Sequence, residues 1–132
     1  MSMEKIEANV AFAMERLGPL SDVPFGLNEE SVTWVEGFID RQRERPGFDP
    51  DNVEGLTGVL GSFLGACLLA AAGGAWHYSD ENGWGVRFPN GCLAYPFAKV
   101  RKQLRNGTEG GDSISSFYRI AIDMVAGGKL GG

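Results

Sequence analysis

Residues 59–76 have the sequence VLGSFLGACLLAAAGGAW, eighteen consecutive residues without a charged side chain. Gly61 and Gly65 have the GxxxG spacing found where membrane helices pack closely, and the length is near that of a membrane span. The run ends in Ala-Ala-Ala-Gly-Gly and has no basic residue at either border, which argues against a span. The stretch therefore predicts a central helix buried on most sides, whose glycines admit another backbone. A membrane span is the weaker alternative.

Upstream of this run, apolar residues recur with the period of a helix. The first predicted helix is 3–17, which ends at Gly18-Pro19. A second helix begins after Asn28, a residue type that caps helix N-termini. Asp49-Pro50 predicts the start of the third helix, because a capping carboxylate precedes a proline at the first helical position. That helix runs through the uncharged stretch to about Ala72.

Downstream, the apolar period changes from 3.6 to 2, which is typical of strands. Three short strands are predicted over 75–78, 84–88 and 92–95. Asn82-Gly83 and Asn90-Gly91 lie between them, and Asn-Gly between apolar runs is a strong hairpin signal. The pattern predicts a three-stranded antiparallel meander.

Two more helices are predicted at the end of the chain. Pro96 begins the first, and Asp112 caps the second. The predicted fold class is α+β, with three N-terminal helices, a three-stranded antiparallel meander and two C-terminal helices. We expect one domain over 1–126, followed by a flexible Gly-rich tail over 127–132.

The charges are unevenly distributed along the 132 residues, whose net charge is −5. Residues 1–66 carry five basic and twelve acidic side chains, a net charge of −7, and residues 67–132 carry seven and five, a net charge of +2. This balance argues against nonspecific nucleic-acid binding. An acidic first half suits a basic partner, although a solvated acidic surface explains the same charges. The N-terminus lacks the pattern of a signal peptide, so we expect a cytoplasmic protein.

No residue pattern predicts catalysis. His77 is the single histidine, and its pairing with Cys92 would be the sharpest catalytic hypothesis. The predicted meander places them on the first and third strands, about 10 Å apart, which argues against the pair. Cys67 and Cys92 lie among apolar residues, and we expect both to be free, buried thiols. We predict no catalytic residue, no metal site and no cofactor, because no ligand spacing is present.

The strongest candidate for binding is a basic run on the predicted helix 97–105. At 100° per residue, one flank of this helix carries Lys99, Arg101, Lys102 and Arg105. Such a flank suits an anion or an acidic partner surface. Pairing with the acidic first half of the same chain, or simple solvation, is the alternative.

The predicted meander is rich in aromatic residues, among them Tyr78 and Trp84. If they are exposed, they form a contact surface, because Trp and Tyr dominate binding hot spots. Core packing is the alternative.

Several motifs occur in a recognisable order: GSFLG at 61–65, GWGVRF at 83–88, YPFAKVRKQ at 95–103 and SISSF at 113–117, with Gly73-Gly74-x-Trp76 between the first two. In this order they resemble a group of small uncharacterised bacterial proteins over about residues 58–120. The resemblance implies a bacterial origin and the helix–meander–helix layout. It implies no activity and no site residue.

These observations favour a non-enzymatic protein-interaction domain. Its most concrete form is an immunity- or antitoxin-type protein that occludes a bacterial toxin. The expected partner is another protein, such as a basic toxin, or a second copy of the chain, and neither nucleic acid nor a membrane. The alternative is a small-ligand or anion sensor that uses the basic helix 97–105.

Overall fold

The computed structural model describes the backbone of residues 1–131 and the side chains of residues 1–125. Within these residues the fold is α+β, with five α-helices and a three-stranded antiparallel sheet. The elements in chain order are α1 (Met3–Leu17), α2 (Glu29–Arg43), α3 (Glu54–Ala72), β1 (Ala75–Ser79), β2 (Gly83–Arg87), β3 (Leu93–Ala94), α4 (Pro96–Asn106) and α5 (Ile114–Gly131). Two 3₁₀ turns, Gly18–Leu20 and Thr108–Gly110, are absent from the predicted order. Helix α5 includes residues 127–131 of the predicted tail, whose side chains lie outside the described ones, so the flexibility of the tail stays a prediction.

Helix α3 is the centre of the molecule. It contacts the other four helices and β2, and its fully buried side chains include Leu60, Phe63, Leu64 and Leu68. Among the described residues α3 is the one helix long and apolar enough to cross a membrane. Half of the apolar stretch of α3 is buried inside the fold. Because the core helix of a soluble protein has the same pattern, this is weak evidence for a membrane span.

The two glycines of the GxxxG spacing allow close packing on α3. A methyl group added at Gly61 would lie 3.0 Å from the Cα atom of Phe97, at the start of α4. One added at Gly65 would overlap the indole ring of Trp76 on β1. The missing side chain of Gly61 therefore lets the backbone of α4 approach α3 closely, as the sequence predicts, whereas that of Gly65 makes room for the Trp76 side chain.

The sheet has the order β1-β2-β3. Trp76 is opposite Val86, and Tyr78 is opposite Trp84. Because side chains alternate between the faces of a sheet, these four residues share one face. Val86 is completely buried, so the end of this face that carries Trp76 and Val86 packs towards the helices, whereas Tyr78 at the other end is exposed.

Two predicted helix starts are wrong. The Asp49 carboxylate accepts a hydrogen bond from the backbone N–H of Asp51 at 2.9 Å and forms a turn, so α3 begins only at Glu54. Before α5, Ser113 takes the capping role predicted for Asp112: its hydroxyl oxygen accepts from the N–H of Ser116 at 3.1 Å. In both cases a polar side chain has more than one local partner, and the tertiary packing selects among them.

Candidate functional site

The structure divides the four predicted basic residues between different surroundings. Helix α4 buries Val100 and Leu104, so its polar flank faces outward. Lys99 and Lys102 line a groove beside α5, whereas Arg101 lines a different cavity, at the start of α3. Arg105 is exposed and lines neither. The basic run is therefore not one continuous anion site.

Arg101 is paired internally with the acidic first half of the chain. Its Nε and Nη2 atoms donate to the two carboxylate oxygens of Glu54 at 2.9 and 3.2 Å, a bidentate pair. The hydrogen bond from Arg101 holds the pKa of Glu54 below its ordinary value, and the same bond raises the pKa of Arg101. This arginine is already occupied by a carboxylate.

Lys99 and Lys102 form a small charge cluster with Asp112. The Lys99 ammonium lies 3.3 Å from a carboxylate oxygen of Asp112, and the other oxygen accepts from the side-chain amide of Asn106 at 3.0 Å. The hydrogen bond from Asn106 lowers the pKa of the Asp112 carboxyl most. The hydrogen bond and the positive charge of Lys99 lower it further. Lys102 is exposed and makes no ion pair within 4.0 Å with any residue whose side chain is described. The cluster thus has a formal net charge of +1.

Beside these lysines lies a groove of about 400 Å³ between β3, α4 and α5. We call it the apolar groove, and its defining residues are Leu93, Phe117, Ile120 and Met124, with Lys99 and Lys102 on the α4 side. Ile120 is 59% exposed, Met124 57% and Leu93 45%. Three large apolar side chains therefore remain accessible to solvent around one concave surface.

A second surface is aromatic. The rings of Tyr78 and Trp84 lie edge to face, with their centres 5.4 Å apart. Tyr78 is 54% exposed, and the indole nitrogen of Trp84 donates to the carbonyl of Met1 at 2.9 Å. Trp76 is half-buried and packs against the core, with its ring centre 5.8 Å from that of Phe97. Of the edge-to-face aromatic pair, Tyr78 is exposed and Trp84 is half-buried.

The hypothetical Cys92–His77 pair is not assembled. His77 is opposite Gly85 on β2, whereas the carbonyl of Cys92 accepts a hydrogen bond from the N–H of Phe88, which directly follows β2 and lies three residues beyond Gly85. The two residues are thus separated by roughly 10 Å across the strands and roughly 10 Å along them.

The expectation of two buried thiols is wrong for Cys92, which is exposed. It directly follows the Pro89-Asn90-Gly91 turn, and its N–H donates to the side chain of Asn90 at 3.0 Å, so it belongs to the turn and not to β3. Cys67 is buried in α3, and burial raises the pKa of its thiol to about 12.

Within the described residues, no three His, Cys, Asp or Glu side chains are grouped as a metal site would require.

Sequence reasoning missed Gln103, a buried polar residue that positions the groove. Its side-chain nitrogen donates to the carbonyl of Glu36 at 3.1 Å and to the carboxylate of Asp40 at 3.3 Å. Its side-chain oxygen accepts from the N–H of Ile114, the first residue of α5, at 3.1 Å. Gln103 thus joins α2, α4 and α5. The sequence signal for its burial was that Gln103 lies on the same side of the predicted helix as the apolar residue Val100.

The comparisons with known proteins add no relative. No protein-family model matches this chain, and no match was found among curated proteins or solved structures. The resemblance to a group of bacterial proteins therefore stays a prediction.

Proposed function

We propose that this protein is a non-enzymatic protein-interaction domain that binds through the aromatic pair of exposed Tyr78 and half-buried Trp84. The observation that carries the proposal is the 54% exposure of Tyr78 beside a tryptophan. Large aromatic side chains with a polar end are the commonest binding hot spots, because they bury much area with little loss of rotational freedom.

Acidic residues around the aromatic pair indicate a basic partner. Asp80 and Glu81 are exposed in the loop that joins β1 to β2, directly after Tyr78 and Ser79. The bond from Trp84 to Met1 brings the beginning of α1 to the same surface, and Glu4 in the first turn of α1 is exposed. An aromatic centre with an acidic rim complements a basic, partly apolar surface.

The finer form of the proposal is an immunity- or antitoxin-type protein of the cytoplasm that occludes a basic toxin. The acidic first half of the chain and the aromatic pair support it, because occlusion requires a complementary surface and no reactive group.

Affinity capture from native cell lysate with matched variants tests the proposal. We expect one stoichiometric protein partner, lost in Tyr78→Ser and in the double variant Asp80→Lys/Glu81→Lys. The control is Glu44→Lys/Glu109→Lys, which changes the charge equally at two exposed sites elsewhere. A partner retained equally by all variants contradicts this surface, and sedimentation of the purified chain alone shows whether the bound molecule is a second copy.

The second candidate function is a small-ligand or anion sensor that uses α4. The apolar groove with Lys99 and Lys102 favours it, because ligand sites are concave and mostly apolar, with a few polar groups that fix orientation. Of the four predicted basic residues, these two belong to that site.

A further inference from the structure

We propose that the apolar groove binds a medium-chain carboxylate, with its alkyl chain against Leu93, Ile120 and Met124 and its carboxylate paired with Lys102. The proposal rests on the second candidate function and not on the aromatic partner surface, so the two can fail separately.

The shape and lining of the groove favour an alkyl chain. Its volume of about 400 Å³ lies within the range of small-molecule sites, about 300–1,000 Å³. Single exposed apolar residues are ordinary on a protein surface, whereas a contiguous apolar patch marks a binding site. Ile120 and Met124 are four residues apart on α5, so they lie one above the other on the same side of that helix. Leu93 on β3 lines the groove with them. This arrangement brings three exposed apolar side chains together along one groove.

The charges beside the groove favour a monoanionic head group. Asp112 neutralises one of the two lysines and is itself fixed by Asn106. Lys102 is the remaining cation, and it is exposed on the α4 side of the groove. One uncompensated positive charge next to apolar side chains complements a carboxylate on an alkyl chain, and it repels an alkylammonium ion.

Calorimetric titration of the full chain with decanoate, below its micelle-forming concentration, tests the proposal. We expect saturable binding of one decanoate per chain. Octanoate and dodecanoate extend the series, and the affinity should rise by about fourfold per added methylene, the value for burial of one CH₂. Decyltrimethylammonium, with the same chain and the opposite charge, should bind more weakly.

Three variants locate the site. Lys102→Gln should weaken decanoate binding by about two- to fivefold, as for a partly exposed ion pair, while Arg105→Gln, the same charge change on the same helix outside the groove, should leave it unchanged. Ile120→Asp should weaken binding by about tenfold or more. Because Ile120 is exposed, we expect this variant to fold as the unmodified chain does, and circular dichroism checks this. Any of three results would overturn the proposal: non-saturable partitioning of decanoate, equal binding of the ammonium compound, or equal effects of Lys102→Gln and Arg105→Gln.

If decanoate fails to bind while Tyr78→Ser still abolishes partner capture, this inference is wrong and the proposed function stands.

Discussion

At the scale of single residues, packing on α3 depends on the absence of a side chain. Gly55 and Gly65 lie on the same helix, but they have different surroundings. A methyl group at Gly55 would meet no atom within 4 Å, whereas one at Gly65 would overlap the indole ring of Trp76. The two positions therefore separate the effect of helix propensity from that of close packing.

We expect Gly65→Ala to lower the free energy of unfolding by about 1–3 kcal/mol, because Trp76 must move out of a well-packed interior. Gly55→Ala should instead raise it by about 0.5–1 kcal/mol, since alanine loses less backbone entropy than glycine in a helix. Urea unfolding of both variants measures the difference. Equal changes at the two positions would show that Trp76 does not require Gly65.

At the scale of secondary-structure elements, polar contacts fix the relative positions of α2, α4 and α5. Gln103 is completely buried and bonds to both neighbouring helices. On α2, the Glu36 carboxylate accepts from the hydroxyl of Ser113 and from the N–H of Ser115 at 3.2 Å. A carboxylate at a helix N-terminus is stabilising because it complements the helix dipole. The orientation of α5, and with it the apolar groove, depends on this network.

Gln103→Leu should therefore destabilise the fold by about 1–3 kcal/mol, because the N–H of Ile114 loses its partner inside the protein. Gln42→Leu is the control: Gln42 is half-buried on α2, and its side chain accepts from Arg45 at an exposed site, so we expect a change within about 0.5 kcal/mol. Thermal and urea unfolding measure both. A Gln103→Leu variant as stable as the control would show that the network is dispensable.

The sequence predicts elements well where the signals are local. Helix α1 has the predicted bounds, since its apolar period is regular and Gly18-Pro19 ends it. Asn28 caps α2 as predicted, accepting from the N–H of Ser31 at 2.9 Å. The errors at Asp49 and Asp112 arise because a short polar side chain can cap a helix, form a turn or join an ion pair. Which of these occurs depends on residues that are distant in sequence.

The candidate sites were less predictable for the same reason. The basic residues of α4 could be found from composition, but their separation depends on partners elsewhere, since Arg101 pairs with Glu54, 47 positions away. The apolar groove exists only because α5 packs beside β3 and α4. Its exposed residues on α5 look like any apolar helix face in the sequence, and only the folded arrangement shows which of them stay uncovered.

At the scale of the whole molecule, the described residues share one hydrophobic core. Buried side chains from all five helices, β2 and β3 belong to it. The chain is also shorter than about 150 residues, the size below which most domains unfold in a single step. Cooperative unfolding is therefore expected, with α3 as the common support.

We expect far-ultraviolet circular dichroism and tryptophan fluorescence to report the same unfolding midpoint in urea. The fluorescence signal comes from different parts of the fold, because the three tryptophans are Trp34 on α2, Trp76 on β1 and Trp84 on β2. Equal midpoints by both methods would therefore show that the whole described fold unfolds in one step. Two separated midpoints would contradict a single cooperative unit.

The packing of α5 against α2 and α3 has a consequence for folding during synthesis on the ribosome. Helix α5 is translated after the other elements that pack on α2, and domains fold as units. Until Ile114 and Tyr118 emerge from the exit tunnel, the nascent chain lacks the part of the packing around α2 that α5 supplies, and only the other elements, α3 and α4 among them, can contact α2. The protein thus completes its folding only after α5 has left the exit tunnel, and a chain truncated before α5 is a natural target for chaperones and proteases.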